Sequence, residues 1–218
     1  MCSHYQAVED ARRLEKEFGV KLIVPAGKSD IWPGYKASFI RVHPHADTGD
    51  DAVPSLECLT GLFGLVPHWA KDIKACRHTF NSRSETAAQK PSFRDAWRNC
   101  QRCIIPAEAI YEPDWRSGKA IPTRITRADG EPMGIAGLWS WWRSPAGNEL
   151  YSFTMLTINA TEHALMRNFH KPADEKRMVV ILPEGAYDDW LHAPPTRSME
   201  FMHQFPAARL LASAQPKP

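Results

Sequence analysis

Hydrophobic residues along this chain fall mostly into short β-type runs, with helical stripes at a few places between them. The first stripe predicts a helix over residues 6–18, where Val8, Ala11, Leu14 and Phe18 share one face. Glu9 and Asp10 suit its first turn and Gly19 its end. Strands are expected at 20–24, 36–43, 56–66, around Ile104-Ile105-Pro106, at 121–127, 134–143, 151–159 and 177–182. Asp129-Gly130 is a hairpin signal between two of them. Ile31-Trp32-Pro33-Gly34-Tyr35 reads as a turn or a binding loop, and 43–54 as an exposed polar loop. Short helices are expected at 70–75 and at 85–99, the latter broken near Pro91 with Phe93 and Trp97 as an i, i+4 pair. Another, capped by Thr161, would carry His163, Leu165 and Met166. A last one would open at Pro183-Glu184 and end near Leu191. From residue 193 the tail is Pro-rich and reads as irregular, with room for one amphipathic turn at 199–205. No repeat or linker divides the chain. The pattern predicts one α+β domain over residues 1–218, with a mostly antiparallel, barrel-like sheet flanked by helices.

Composition narrows the class. The 218 residues are 43% hydrophobic and 24% charged, which supports a packed soluble core. Five cysteines, odd in number and uneven in spacing, do not form a secreted disulfide framework. No apolar run reaches a membrane span and no signal-peptide core opens the chain, so a cytoplasmic monomer away from membranes is expected. His43, His45 and Asp47 lack a further ligand at metal-site spacing. Cys100 and Cys103 form a lone C-x-x-C and read as small hydrophobes flanking a buried strand. Neither a metal nor a cofactor is implied. The net charge of +2 is mild, but residues 71–102 hold eight Lys/Arg against three Asp/Glu. That local excess can be a phosphate-binding face or an ordinary solvated one. Eight tryptophans serve equally for core packing and for base stacking.

Two places carry candidate chemistry. Cys2 becomes an N-terminal 1,2-aminothiol if Met1 is removed. Its amine can form a Schiff base with an aldehyde, and its thiol can close the ring to a thiazolidine. Glu112 ends a strand within Ala109-Ile110-Tyr111-Glu112-Pro113-Asp114-Trp115. There, aromatic neighbours would desolvate the carboxyl and raise its pKa toward a range useful for proton transfer; an exposed turn acid is the alternative.

Five motifs in order complete the picture. They are Met1-Cys2, Gly64-Leu65-Val66-Pro67-His68-Trp69, Asn81-Ser82-Arg83-Ser84-Glu85-Thr86, Arg102-Cys103-Ile104-Ile105-Pro106-Ala107 running into Tyr111-Glu112, and His170 ahead of Arg177-Met178. Together they resemble the SRAP family, the SOS-response-associated peptidases that process abasic DNA sites, from residue 2 to Leu182. The resemblance implies that Cys2 is the nucleophile and that Asn81 hydrogen-bonds its terminus and the sugar. Glu112 would shuttle protons and His170 would be a second acid/base. Arg83 and Arg177 would hold phosphates, and Trp69, with His68 beside it, would fill the gap left by the missing base. The implied partner is single-stranded DNA bearing abasic sites. This chain departs from the family pattern at Ser3-His4 in place of Gly-Arg and at Asp30-Ile31-Trp32-Pro33-Gly34 in place of Asn-x-Ala-Pro. Pro113 stands where Trp often follows the glutamate, and Lys171 to Lys176 are inserted after His170. Two other classes remain open: an N-terminal-nucleophile cysteine peptidase or amidohydrolase using Cys2, Asn81 and His170, and a non-catalytic nucleic-acid binding module.

Overall fold

A ring of five strands closes on itself at the centre of the molecule. The computed structural model describes residues 2–21 and 28–215. Its strands are β1 (Tyr5–Ala7), β2 (Asp30–Ile31), β3 (Lys36–Val42), β4 (Leu56–Phe63), β5 (Asn81–Arg83), β6 (Arg102–Asp114), β7 (Ile121–Arg127), β8 (Met133–Arg143), β9 (Glu149–Asn159), β10 (Arg177–Val179) and β11 (Leu210–Ala214). Helices among the described residues are α1 (Ala11–Phe18), α2 (Ser84–Ala87), α3 (Arg94–Arg98) and α4 (Tyr187–Leu191). The ring runs β9–β4–β3–β6–β8 and back to β9. Its β4–β9 contact is parallel and the other four are antiparallel. This is the expected single α+β domain on a mostly antiparallel barrel. Closure removes the exposed edges that an open sheet would present. No helix among the described residues is long and apolar enough to cross a membrane.

β6 is the spine. Ile104 pairs with both Ile40 and Ala136, and Ile110 with both Tyr5 and Ile125. β3 and then β1 therefore line one edge of β6, while β8 and then β7 line the other. The first half of β6 belongs to the barrel. The second half runs out of it between β1 and β7, carrying Tyr111 and Glu112. Asp129-Gly130 makes the expected turn, but it joins two strands that do not pair with each other. β7 and β8 lie on successive stretches of β6, and the length of that strand overrides the local hairpin signal. The turn is held by Arg127, which reaches Asp129, the Pro132 carbonyl and Glu184.

Other expectations shift for local reasons. The helix expected from residue 6 begins at Ala11, because the Asp10 side chain caps it by accepting from Arg12 N at 2.8 Å. Leu14 and Phe18 bury its apolar stripe, and Gly19 closes it in the left-handed conformation. Residues 5–7 instead follow a period of two, with Tyr5 and Ala7 buried, and join β6 as β1. Of the strand expected at 20–24, Val20 and Lys21 are not in a strand and the rest lies outside the described residues. The helix expected after Thr161 is a series of turns ending in a 3-10 turn at Met166–Asn168. His163 explains this. Its Nδ1 accepts from the backbone N–H of Leu165 and Met166, offering those groups an alternative to helix. The tail is irregular only as far as two 3-10 turns, Ser198–Phe201 and Ala207–Arg209. It then forms β11, which pairs with β7 over five residues.

Gly64 has φ +117°, and a Cβ there would stand 2.0 Å from the Cys76 carbonyl oxygen. The obstacle is backbone, which a side-chain shift cannot relieve. Gly64→Ala is expected to lower the unfolding free energy by about 3 kcal/mol or more, measured by denaturant titration.

Candidate active site

The pairing of β1 with β6 brings the ends of the two segments together. Tyr5 lies opposite Ile110, and Tyr111 N donates to the His4 carbonyl at 2.9 Å. Continuing that antiparallel register from His4 and Tyr111 by two residues sets Cys2 opposite Pro113, the residue after Glu112. Cys2 is 1% exposed, and its thiol donates to the His4 carbonyl at 3.4 Å. Burial pushes the thiol well above its ordinary range, and the charge of Glu112 adds to that shift.

Asn81 arrives from β5, a three-residue strand that packs parallel to β9 with Asn81 beside Met155. Its Nδ2 donates to the Cys2 carbonyl at 2.6 Å, and its buried Oδ1 makes no hydrogen bond among the described residues. His170 is fastened to the end of β6 by its own backbone, whose N–H donates to the Pro113 carbonyl at 3.1 Å, next to an Asp114–Phe169 bridge. It holds φ +66°, a conformation a non-glycine residue adopts at a cost of about 1–3 kcal/mol. The cost is met by the surrounding bonds, including Lys176 Nζ on the His170 carbonyl at 3.2 Å.

His170 Nε2 lies 3.3 Å from Glu112 Oε2, and both side chains are almost fully buried. Burial pushes the Glu112 carboxyl up to about 7 and the His170 imidazole down to about 4. Both shifts favour the neutral form. Between those values an undissociated acid faces a neutral base, the pair needed to give a proton at one atom and take one at another. Residues 2, 81, 112 and 170 thus converge around one buried thiol.

The DNA-contact candidates are placed differently. Trp69 is 55% exposed and His68 stands beside it on the surface, 3.7 Å from Asp95. Arg83 is half exposed and pairs with Glu175 at 2.8 Å. Arg177 is buried. Its guanidinium is occupied by Glu85 at 2.8 Å, by Glu175 at 2.7 Å and by Thr157, so a phosphate reaching it would have to displace Glu175. Glu175 lies in the inserted segment 171–176. The basic run contributes less than its count implies, since Arg102 is 1% exposed between the rings of Trp97 and Trp190. Lys71, Lys74, Arg77, Lys90, Arg94 and Arg98 are exposed. Cys103 is buried as expected, but Cys100 is exposed with φ +53°.

Sequence reasoning missed a cluster beside Cys2. The His4 ring stacks on both Trp32 and Tyr111 and reaches Asp30. The signal was present as two departures from the family pattern, at 3–4 and at 30–34, which turn out to touch.

The chain is similar to several known proteins. The family described as SOS response associated peptidase (SRAP) matches residues 1–214. The chain is 39% identical over 135 residues to the abasic site processing protein YoqW of Bacillus subtilis (strain 168), which covers 62% of this chain and 57% of YoqW. It is 27% identical over 162 residues to the abasic site processing protein HMCES of Gallus gallus, covering 64% of this chain and 46% of that protein. The chain thus spans about half the length of the curated relatives it matches. Among solved structures, a protein from Bordetella bronchiseptica superposes with TM-score 0.89 at 49% identity, covering 99% of this chain and 100% of that one. A protein from Bacteroides thetaiotaomicron shares the fold, with TM-score 0.79 at 20% identity over 98% of this chain and 91% of that one.

The raised Glu112 pKa has a sign that can be measured. A buried carboxyl with a raised pKa stabilises the fold fully below its unfolded value and loses that contribution as pH rises through about 7. Glu112→Gln should therefore gain stability relative to wild type at pH 8.5, by on the order of 2 kcal/mol, and gain little at pH 4.5. Thermal melts at the two pH values test this; an equal difference at both would show that Glu112 titrates in its ordinary range.

Proposed function

Because the chain belongs to the SOS response associated peptidase (SRAP) family, we propose that it captures abasic sites in single-stranded DNA as a covalent adduct on Cys2. The observation that carries this reading is the meeting of Cys2, Asn81, Glu112 and His170 in one buried place. The names of the curated relatives, all abasic site processing proteins, support it from outside the geometry.

The first step is removal of Met1. The Cys2 thiol takes the methionyl group as a thioester, which frees the α-amine, and water then releases methionine. This self-directed cleavage is the peptidase activity in the proposal. The freed amine condenses with the aldehyde of the ring-opened sugar, forming a C=N bond and expelling one water. The thiol then adds across that bond, its sulfur to carbon and its proton to nitrogen, to close a thiazolidine. Glu112, neutral below about pH 7, is placed to protonate the departing oxygen. His170, neutral above about pH 4, is placed to accept the sugar hydroxyl proton during ring opening. Asn81 holds the Cys2 carbonyl and so fixes the direction of the amine. The burial that raises the thiol pKa favours this order, in which the amine reacts first and the thiol adds without standing free as a thiolate.

The DNA would be held by Arg83 and the exposed cations of residues 71–98, with Trp69 and His68 at the lesion gap. An abasic nucleotide in a single strand has little stacking to lose, so bringing its sugar to a buried thiol costs little. The protein would act as a monomer in the cytoplasm, at the nucleoid. A non-catalytic binding module would leave the convergence of these four groups, three of them buried, without a use.

Incubation with a uracil-excised oligonucleotide tests the proposal. A heat-stable shifted band is expected, with mass spectrometry placing the adduct on an N-terminal peptide that lacks methionine. Cys2→Ala should give no adduct while keeping affinity within about threefold of wild type, since it removes no phosphate contact. Glu112→Gln should slow adduct formation by about 10²–10⁴-fold. Wild-type rates in that variant would remove the proton-transfer role. Blocking removal of Met1 should abolish the adduct. Separately, Arg83→Ala should weaken binding on all sequences alike and reduce the slope of log affinity against log salt by about 1. An unchanged slope would place the phosphate elsewhere.

A further inference from the structure

Three aromatic rings form a column that starts at the nucleophile. His4 lies 4.0 Å from Tyr111 at 10° and 4.1 Å from Trp32 at 13°. Two rings that close and that nearly parallel cannot share one face of an imidazole, so His4 sits between them. Its Nε2 is 2.8 Å from Asp30 Oδ1, which fixes the rotation of the ring. The backbone of the same residue accepts the Cys2 thiol and the Tyr111 N–H. The column is therefore tied to Cys2 through its middle residue and to β6 through Tyr111, its inner end.

The other end is bare. Trp32 is 44% exposed although one of its faces lies against His4. With Tyr35, also exposed, it lines an open cleft of about 450 Å³ together with Glu9, Lys28, Ser29 and Asp30. Lys28 Nζ lies 4.6 Å over the Tyr35 ring. The turn that presents these rings is already formed. Tyr35 N donates to the Trp32 carbonyl at 2.9 Å, and Gly34 N donates to the Phe63 carbonyl at 2.7 Å. A ligand stacking here would have little backbone to order.

We propose that the outer face of Trp32 is a stacking subsite for the nucleobase adjacent to the abasic sugar. The proposal rests on the reading that Cys2 meets such a sugar. An abasic site leaves the neighbouring base with one face unstacked, and Trp32 offers the surface that replaces the lost partner. The charge of the cleft favours a base over a phosphate, because Glu9 and Asp30 oppose Lys28, the single cation among its described lining residues. Base–aromatic stacking tolerates any of the four bases, so this subsite adds affinity without reading sequence. Binding by a chain with this subsite then depends on whether a base flanks the lesion, not on which base it is.

The test is a double-mutant cycle on DNA and protein. The DNA carries a tetrahydrofuran analogue at the lesion, which binds but cannot form an imine. Each flanking base is removed in turn. Wild type is expected to lose about five- to tenfold in affinity when the base on one particular side is removed. Trp32→Ala should lose a similar factor on intact DNA and then be insensitive to removal of that same base, while Trp32→Phe recovers most of the loss. Melting temperatures establish that the variants fold. Equal affinity of Trp32→Ala and wild type would overturn the subsite. So would a Trp32→Ala loss that persists unchanged on the base-deleted strand, since that is the result of a merely positioning role through His4. The subsite and the covalent reading fail separately. Coupling between Trp32 and a flanking base, with no adduct on a true abasic site, would sink the capture chemistry alone. A normal adduct without coupling would sink the subsite alone.

Discussion

The site depends on the ladder between the residues after Cys2 and the outer half of β6. Three residues of β1 are a short strand, and a short strand has little stability of its own. Its strength comes from burial of Tyr5, Ala7 and Val8 against the barrel and from the Tyr111–His4 bond that continues the ladder toward Cys2. Because the same stretch of β6 carries Glu112, the ladder brings Cys2 and Glu112 together in one step. Asn81 and His170 are then brought to that place by β5 on β9 and by the bridge at Asp114.

Exclusion of water governs the chemistry that follows. One physical cause moves three groups in the directions useful for a neutral, stepwise condensation: thiol up, carboxyl up, imidazole down. The fold bears part of the expense as a left-handed histidine and as buried polar atoms on Asn81 and His170 that lack hydrogen bonds among the described residues. Such local departures from good protein structure are where function is expected to sit.

Much of this was legible in the sequence. The long β-type runs gave the strands at 36–42, 56–63, 121–127 and 149–159. The aromatic setting of Glu112 leaves a desolvated acid and an exposed turn acid both open, and its burial decides for the first. Periodicity is weak where elements are short: β1 has three residues, and the stripe of Leu14 and Phe18 extends the expected helix backward over it. β5 has three residues as well and shows no alternation. Long-range pairing was invisible, which is why the Asp129-Gly130 turn looked like a hairpin and why β11 was not foreseen. Charge counting treated Arg102 as a surface cation, although two tryptophans and Ser198 enclose it. Nothing local marked His4 as the middle of a stack, since its two neighbours lie 28 and 107 positions away.

The burial of Cys2 has a bearing on survival under chemical stress. Peroxide and small electrophiles react with accessible thiolate, and Cys2 offers neither access nor charge. Cys100, exposed on the far side of a C-x-x-C whose other member is sealed in the core, would meet an oxidant first. On the proposed reading, this burial would spare the Cys2 thiol from oxidants and leave Cys100 to react in its place.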